Sequence, residues 1–375
     1  MANIFERALL KAELLKAEKQ YDRFRIEKYL DRVEDIFDYH TAIKTRRDPY
    51  WQRGWYNAKA EGYGIGHAYM RYSGFRGALN CSFEHSLSYN RTNNHQEYRD
   101  INYPVIISSC KTRQEIIQPL TDKIVIPCGP FFMPYAENIY DDFMIGCIKK
   151  NLGKTIVVFP QHNNVNSFYE GEESKKKEFV DMVEKIKADH GFDTVIVCLY
   201  YADILNQTYR QYEKLGWIVV SAGRMPNYDF GDNMKTILSL ADYVIAQGTM
   251  TSIIQAVYMN IPSTYALGRA QKRMADGRLC TPGEELGFDE LYQECFELFG
   301  EYSEEVSEKQ YEWCNRWGGF DSVKTPEEIN LILAFAKELG KGNTSDSRVQ
   351  SIIKKKKYEP IRGIVEESLT LRKAK

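Results

Sequence analysis

Several features are scarce or missing in this 375-residue chain, and each absence excludes a class of protein. No run of about 18 apolar residues occurs, so no segment reads as a membrane-spanning helix. The eight cysteines, Cys81, Cys110, Cys128, Cys147, Cys198, Cys280, Cys295 and Cys314, include no pair at CxxC spacing, which argues against a structural zinc site. Charge of either sign is not in excess: the formal net charge is −2, and an electrostatic partnership with nucleic acid is not expected. The opening MANIFERALLKAELLKAEK has no continuous apolar core of the kind a secretory leader needs. Together with scattered free thiols, this places the expected location in the reducing cytoplasm. No internal repeat or low-complexity tract is visible.

What is present is the balance of a globular protein, 43% hydrophobic and 27% charged. Domains run at roughly 100–200 residues, so a chain of this length predicts two. The 26 Tyr and 18 Phe have two readings, a core built from large rings or a groove lined by ring faces.

Residues 3 to about 40 read as a helix, because Leu10, Leu14, Ala17, Tyr21 and Phe24 fall on one stripe. Its polar face is mixed in sign, which favours docking on the protein over a membrane surface. Residues 50–100 carry little periodicity. Two short strands follow, Val105–Ser109 and Lys123–Ile126, separated by KTRQEIIQPLTD, a short helix and turn.

The second half alternates strands with polar helical segments. TIVVF (155–159), TVIVCL (194–199), WIVVS (217–221), YVIAQ (243–247) and STYA (263–266) are continuous apolar or β-branched runs. Such runs fit strands covered on both faces, and their order predicts a parallel sheet with crossover helices. Near the end, Thr325 caps a helix, Pro326 takes its first position, Glu328 closes a capping box and Gly340 terminates it. The Lys354–Lys357 run reads as a solvated face, with contact to an anionic membrane as the further option. The predicted divisions are 1–145, an N-terminal domain with its leading helix; 146–300, a nucleotide-binding domain; and 301–375, C-terminal helices packing back on the first.

Ligands in open parallel sheets bind beyond the carboxyl ends of the strands, so the loops after these runs are the ones to examine. The most informative is ADYVIAQGTMTSIIQAVYMNIPSTYA (241–266). Its strand ends at Gln247, Gly248 makes a tight turn, and Thr249, Thr251 and Ser252 open a helix. Helix N-termini hold free N–H groups and partial positive charge, which suits a phosphate. Thr249 as a plain helix cap uses the same geometry.

The pattern D-x-V-I-x-x-G-T-x-T-x-x-x-Q-A-x-Y-x-x-x-P resembles the nucleotide-binding half of GT-B glycosyltransferases, including those of bacterial capsule and lipopolysaccharide biosynthesis. The likeness covers about residues 80–300. It implies an α/β fold of two Rossmann-like domains facing a cleft, with N- and C-terminal helices added. It also implies donor phosphates on Gly248, Thr249, Thr251 and Ser252. Gln255 stands at the ribose position where many relatives carry Glu. The loop SAGRMPNYDF then implies a cradle for the base from Ser221, Gly223, Arg224, Met225 and Pro226. NCSFEHSLSYN (80–90) is similar to the E-H-G loop of such transferases, with Ser86 in place of Gly, and implies a catalytic base in Glu84 or His85. His162, in the loop after the first strand of the second domain, titrates naturally near neutrality and joins them as a catalytic candidate.

The chain contains no Asp-x-Asp tripeptide, the metal motif of the GT-A class, so a metal-independent reaction and no cofactor are expected. The charge on the leaving nucleotide would be met by the helix N-terminus and by cations such as Arg224, Lys272 or Arg273. Arg91, Lys111 and Arg113 are further cations that could face anionic ligands. The expected function is transfer of a sugar from a UDP- or CMP-linked donor to a glycan or lipid-linked glycan acceptor, in the cytoplasm or peripherally at the inner face of the membrane. Two alternatives stand beside it: an epimerase or hydrolase of the nucleotide sugar, and a non-catalytic binding protein for glycan assembly.

Overall fold

The computed structural model describes residues 65–66, 81–84, 104–130, 133–161, 172–199, 203, 209–222, 230–248, 250–266 and 289–373. The predicted helix over residues 3–40 lies outside these. Nine strands are described: β1 (Ile65–Gly66), β2 (Cys81–Glu84), β3 (Val105–Ser108), β4 (Ile124–Pro127), β5 (Thr155–Phe159), β6 (Thr194–Cys198), β7 (Ile218–Val220), β8 (Tyr243–Gln247) and β9 (Ser263–Ala266). They form two sheets, ordered β1-β2-β3-β4 and β7-β6-β5-β8-β9. All pairings are parallel except β1 with β2. The architecture is α/β with parallel sheets.

The helices explain the order of the second sheet. From β5 the chain runs outward through α3 (Glu172–His190) to β6 and through α4 (Tyr209–Glu213) to β7. It then returns through α5 (Phe230–Ser239) to β8, on the other side of β5, and through α6 (Met250–Tyr258) to β9. Right-handed crossovers in opposite directions place helices on opposite faces. Side chains alternate accordingly. Ile156, Val158, Val195, Val197 and Ile245 cluster with Phe179 and Val183 of α3 and Tyr212 of α4. Val157, Phe159, Ile196, Val244 and Ala246 cluster with Ile237 of α5 and Ile253 and Ile254 of α6. Three further helices join this second face, α2 (Asp142–Leu152), α7 (Asp289–Phe299) and α8 (Glu308–Gly318), through Ile145, Ile148, Cys295, Phe299, Trp313 and Trp317. The resulting order is that of a doubly wound, Rossmann-like sheet.

The first sheet is covered differently. α1 (Lys111–Ile117) connects β3 to β4, while three helices from the end of the chain supply an apolar face: α9 (Pro326–Leu339), α10 (Asp346–Ile353) and α11 (Arg362–Lys373). Val105, Ile107, Ile124 and Ile126 pack against Ile332, Phe335, Ile353, Val365 and Leu369 of these helices. β4 is the edge of this sheet, and its outward backbone groups are bonded by side chains. Gln114 Nε2 donates to Val125 O at 2.8 Å, while Val125 N donates to Gln118 Oε1 at 2.9 Å and to Ser368 Oγ at 3.1 Å. An edge so occupied offers no template for another strand.

Helix ends follow the local chemistry. Thr325 and Glu328 form the predicted reciprocal cap of α9, with Pro326 at its first position. α6 ends on Asn260, held at φ 56, with Asn260 N bonded to Val257 O and Ile261 N to Ala256 O, both at 2.9 Å. This is a Schellman closure with Asn in the place of Gly. No described helix is long and apolar enough to cross a membrane.

At the end of α8, Gly319 has φ 74, and a Cβ there would lie 2.2 Å from Ser109 O, in the turn after β3. Ser109 Oγ donates to Trp317 O at 3.1 Å across the same junction. Gly191 has a similar φ of 65 but open space around it. Gly319→Ala should therefore destabilise the chain by about 2–4 kcal/mol, combining left-handed strain with overpacking. Gly191→Ala should cost only about 1–2 kcal/mol, from strain alone. Urea denaturation of the two variants checks the difference; equal losses would show that the junction at Ser109 yields.

Candidate functional site

The seam of the second sheet lies between β5 and β8, where the crossovers diverge to opposite faces. Phe159 is registered against Ala246, so Pro160 and Gln161 leave β5 beside the end of β8 at Gln247 and Gly248. Gln161 N donates to Gln247 Oε1 at 3.3 Å, bridging the two loops. Gln247 is only 4% exposed, a buried amide at a strand end. Gly248 follows at φ 67, in the left-handed region that glycine tolerates, and its N–H donates to Ala266 O at 3.0 Å. That turn aims the chain into α6, whose first amides have no acceptor within the helix.

α6 is buried over nearly its whole length. A helix enclosed on all sides is ordinarily apolar all round. Here Ser252 and Gln255 are 7% and 4% exposed, and half-buried Thr251 precedes them. Spacings of three and four residues place Gln255 on the same face as Ser252 and Thr251.

At the far edge of the sheet, β7 is followed by Ser221 and Ala222, both buried. Asn233 of α5 donates Nδ2 to Ala222 O at 3.2 Å. Its Oδ1 is buried, the residue being only 2% exposed, and has no hydrogen-bond partner among the described residues. Such an acceptor is uncommon in a native interior.

α5 is itself held by a polar stripe. Asp232 Oδ1 accepts from Glu137 N at 2.9 Å and Thr236 Oγ1 from Ile139 N at 2.9 Å. Lys235 Nζ donates to Ala136 O at 2.7 Å and Ser239 Oγ to Asn138 Oδ1 at 2.9 Å. Sequence reading missed this stripe, yet its spacing of three and four residues from Asp232 to Ser239 is a legible helical pattern.

The ends of β7 and β8 are separated by three strand spacings, about 14 Å. Of the sequence-predicted residues, Gly248 directly follows β8, Thr251 and Ser252 lie in the first turn of α6, Gln255 lies about a turn further along that helix, and Ser221 is across the sheet. Gly223, Arg224, Met225, Pro226, Thr249, His85 and His162 lie outside the described residues, as do Arg91, Lys272 and Arg273. Glu84 closes β2, with its backbone registered against Ile65. Two other cations are otherwise engaged. Lys111 pairs with Glu367 of α11 at 2.7 Å, and the hydrogen bond from that pairing raises its pKa above the usual lysine value. Arg113 is buried in α1. Among the described residues, no three His, Cys, Asp or Glu side chains are grouped to hold a metal ion.

Chemically, the strand ends offer a glycine turn, a helix N-terminus, hydroxyls and neutral amides. They suit recognition of a phosphate and of hydroxyl or base edges. Cys198, at the end of β6, is not a nucleophile in waiting: burial pushes its thiol up to about 12. Comparison of the chain with protein-family models and with curated proteins found no match.

Half-buried Cys147 should react with iodoacetamide in the folded protein before Cys198, Cys295 and Cys314, which are buried. Peptide mass spectrometry after a short native pulse checks this; Cys198 labelled as fast as Cys147 would mean that the end of β6 opens to solvent.

Proposed function

We propose that the chain is a metal-independent glycosyltransferase of the GT-B type. It moves a sugar from a UDP- or CMP-linked donor to a glycan or lipid-linked glycan acceptor. The observation that carries this reading is the seam between β5 and β8, where the Gly248 turn feeds the N-terminus of α6. Donor phosphates rest on Gly248, Thr249, Thr251 and Ser252, and the base lies against Ser221–Pro226, with the unpartnered Asn233 Oδ1 beside the start of that loop. The roughly 14 Å between these strand ends matches an extended nucleoside diphosphate in scale.

On this reading the two sheets belong to two domains with the reaction in a cleft between them, and the acceptor binds the first. Glu84 or His85 takes the proton from the acceptor hydroxyl as its oxygen bonds to the anomeric carbon. The bond from that carbon to the phosphate oxygen breaks, and the nucleotide leaves carrying the electron pair. The α6 N-terminus, Arg224 and protonated His162 stabilise that charge. Exclusion of water by the closed cleft limits hydrolysis of the donor.

Donor binding and turnover are separable. Thr249→Ala and Thr251→Ala should each weaken nucleotide binding by about 1 kcal/mol, and by more where the lost acceptor is charged. Calorimetry with UDP and with CMP measures this; unchanged affinity in the double variant removes the phosphate site.

Glu84→Gln or His85→Ala should lower sugar transfer by roughly 10²–10⁴ with nucleotide affinity nearly intact. His162→Ala should weaken binding, turnover or both. Assays of nucleotide release with and without acceptor glycans provide the readout, and transfer at the parent rate in both first-domain variants would place the base elsewhere. Release that ignores acceptor points instead to a hydrolase.

A further inference from the structure

A second concave surface is built on other elements, at the C-terminal helices. The last turn of α9, the helix α10 and the 3-10 turn Lys356–Ile361 line a shallow, open pocket of about 620 Å³. Ile352 and Tyr358 are part of its apolar lining, and both also belong to the core beneath. Lys337, Lys341, Arg348 and Lys357 line it as well, with one carboxylate, Glu338. Between residues 334 and 362 there are eight Lys and Arg against three Asp and Glu, in a chain whose net charge is −2.

The carboxylate does not neutralise this surface. Glu338 accepts from Lys355, from Lys357 Nζ at 3.1 Å and from the Tyr358 hydroxyl at 3.0 Å. These hydrogen bonds, chiefly that from Lys355, hold it ionised, with its pKa lowered to about 2. Its charge is therefore already shared between two lysines. Arg348 is fixed by donating Nη2 to Glu338 O at 3.0 Å and Leu339 O at 3.2 Å, the last carbonyls of α9. Lys337 and Lys341 are exposed, and neither forms an ion pair among the described residues. Like charges brought together in a concavity raise one another's energy and focus a positive potential there. The core beneath is made by Val349, Ile352, Ile353, Tyr358 and Ile361.

We propose that this pocket binds a phosphate-bearing ligand. A phosphate presents several acceptor oxygens and up to two negative charges, which matches two uncommitted ammonium groups beside a fixed guanidinium and the Ser351 hydroxyl. The volume lies in the range of small-molecule sites, larger than a bare ion needs, and the apolar lining accommodates the organic part. The same chemistry is offered by a soluble phosphorylated metabolite and by the headgroup of an anionic phospholipid.

Two arms distinguish these sources, both using the full chain. Calorimetry with inorganic pyrophosphate tests the soluble arm. Flotation with phosphatidylcholine vesicles, with and without phosphatidylglycerol, tests the headgroup. Binding in either arm should fall by about tenfold or more in Lys337→Glu/Lys341→Glu. It should fall less, in the same direction, in Lys337→Gln/Lys341→Gln, which guards against a folding defect. A Lys150→Glu/Lys309→Glu chain of equal net charge should bind as the parent does. Binding in neither arm, equal loss in the two charge-reversed chains, or loss confined to Thr249→Ala/Thr251→Ala overturns the proposal.

Discussion

Parallel strands cannot be joined by a tight turn: the chain must cross back over the sheet before the next strand begins, and it does so right-handedly. In the second sheet that rule acts twice in opposite directions. β5 to β7 are wound one way with α3 and α4 on one face, then α5 and α6 cover the other face on the way to β8 and β9. In open parallel sheets wound in both directions, the connections from the two central strands go to opposite faces, and ligands bind in the crevice this leaves beyond the strand ends. A crevice at that seam follows from the winding itself. What this chain adds is local: the bond from Gln161 N to the Gln247 side chain, which ties the end of β8 to the residues after β5, and a left-handed glycine directly after β8.

Burial on both faces has a second consequence. A strand enclosed by helices must surrender all its backbone polar groups to neighbours, which is harmless inside the sheet and awkward at its edge. At β4 the difficulty is met by amide and hydroxyl side chains from Gln114, Gln118 and Ser368. Ser368 comes from the last helix, more than two hundred residues along the chain. Arg372 of the same helix donates to Lys123 O at 3.1 Å, beside the start of β4. The terminal helices are thus part of the first sheet's hydrogen bonding as well as of its apolar core.

The strands of the second sheet were legible because each is a short continuous run of β-branched or apolar residues. Thr155–Phe159, Tyr243–Gln247 and Ser263–Ala266 fall where those runs lie, and the others end within one residue of them. The cap at Thr325 was legible because both partners are close in sequence. Long-range features were not. Nothing local in Gln114 or Gln118 announces that they will pair with an edge strand. Nothing local in Trp313 or Trp317 says that α8 joins the second sheet's cluster while α9 joins the first's. The Asn260 terminator was readable in principle, since Asn tolerates the left-handed conformation and proline follows at Pro262. Of the candidate site, the portion carried by β8 and α6 is described, and Glu84 is placed by its backbone at the end of β2, while His85 and His162 fall outside the described residues.

α6 bears on how far a purely structural account can go. A helix cap at Thr249 would explain one polar residue at the turn, and the cap needs nothing further along the helix. It does not explain why Ser252 and Gln255 are polar in a segment where Ile253, Ile254, Ala256 and Val257 are all buried. Both lie on the face that includes Thr251, one to two turns from Gly248. On the proposed reading this face meets the donor beyond its phosphates. A neutral amide at Gln255 then has a specific merit over the carboxylate common in the resembled family. It both donates to and accepts from a hydroxyl, and it brings no negative charge close to the phosphates that the helix N-terminus is placed to attract.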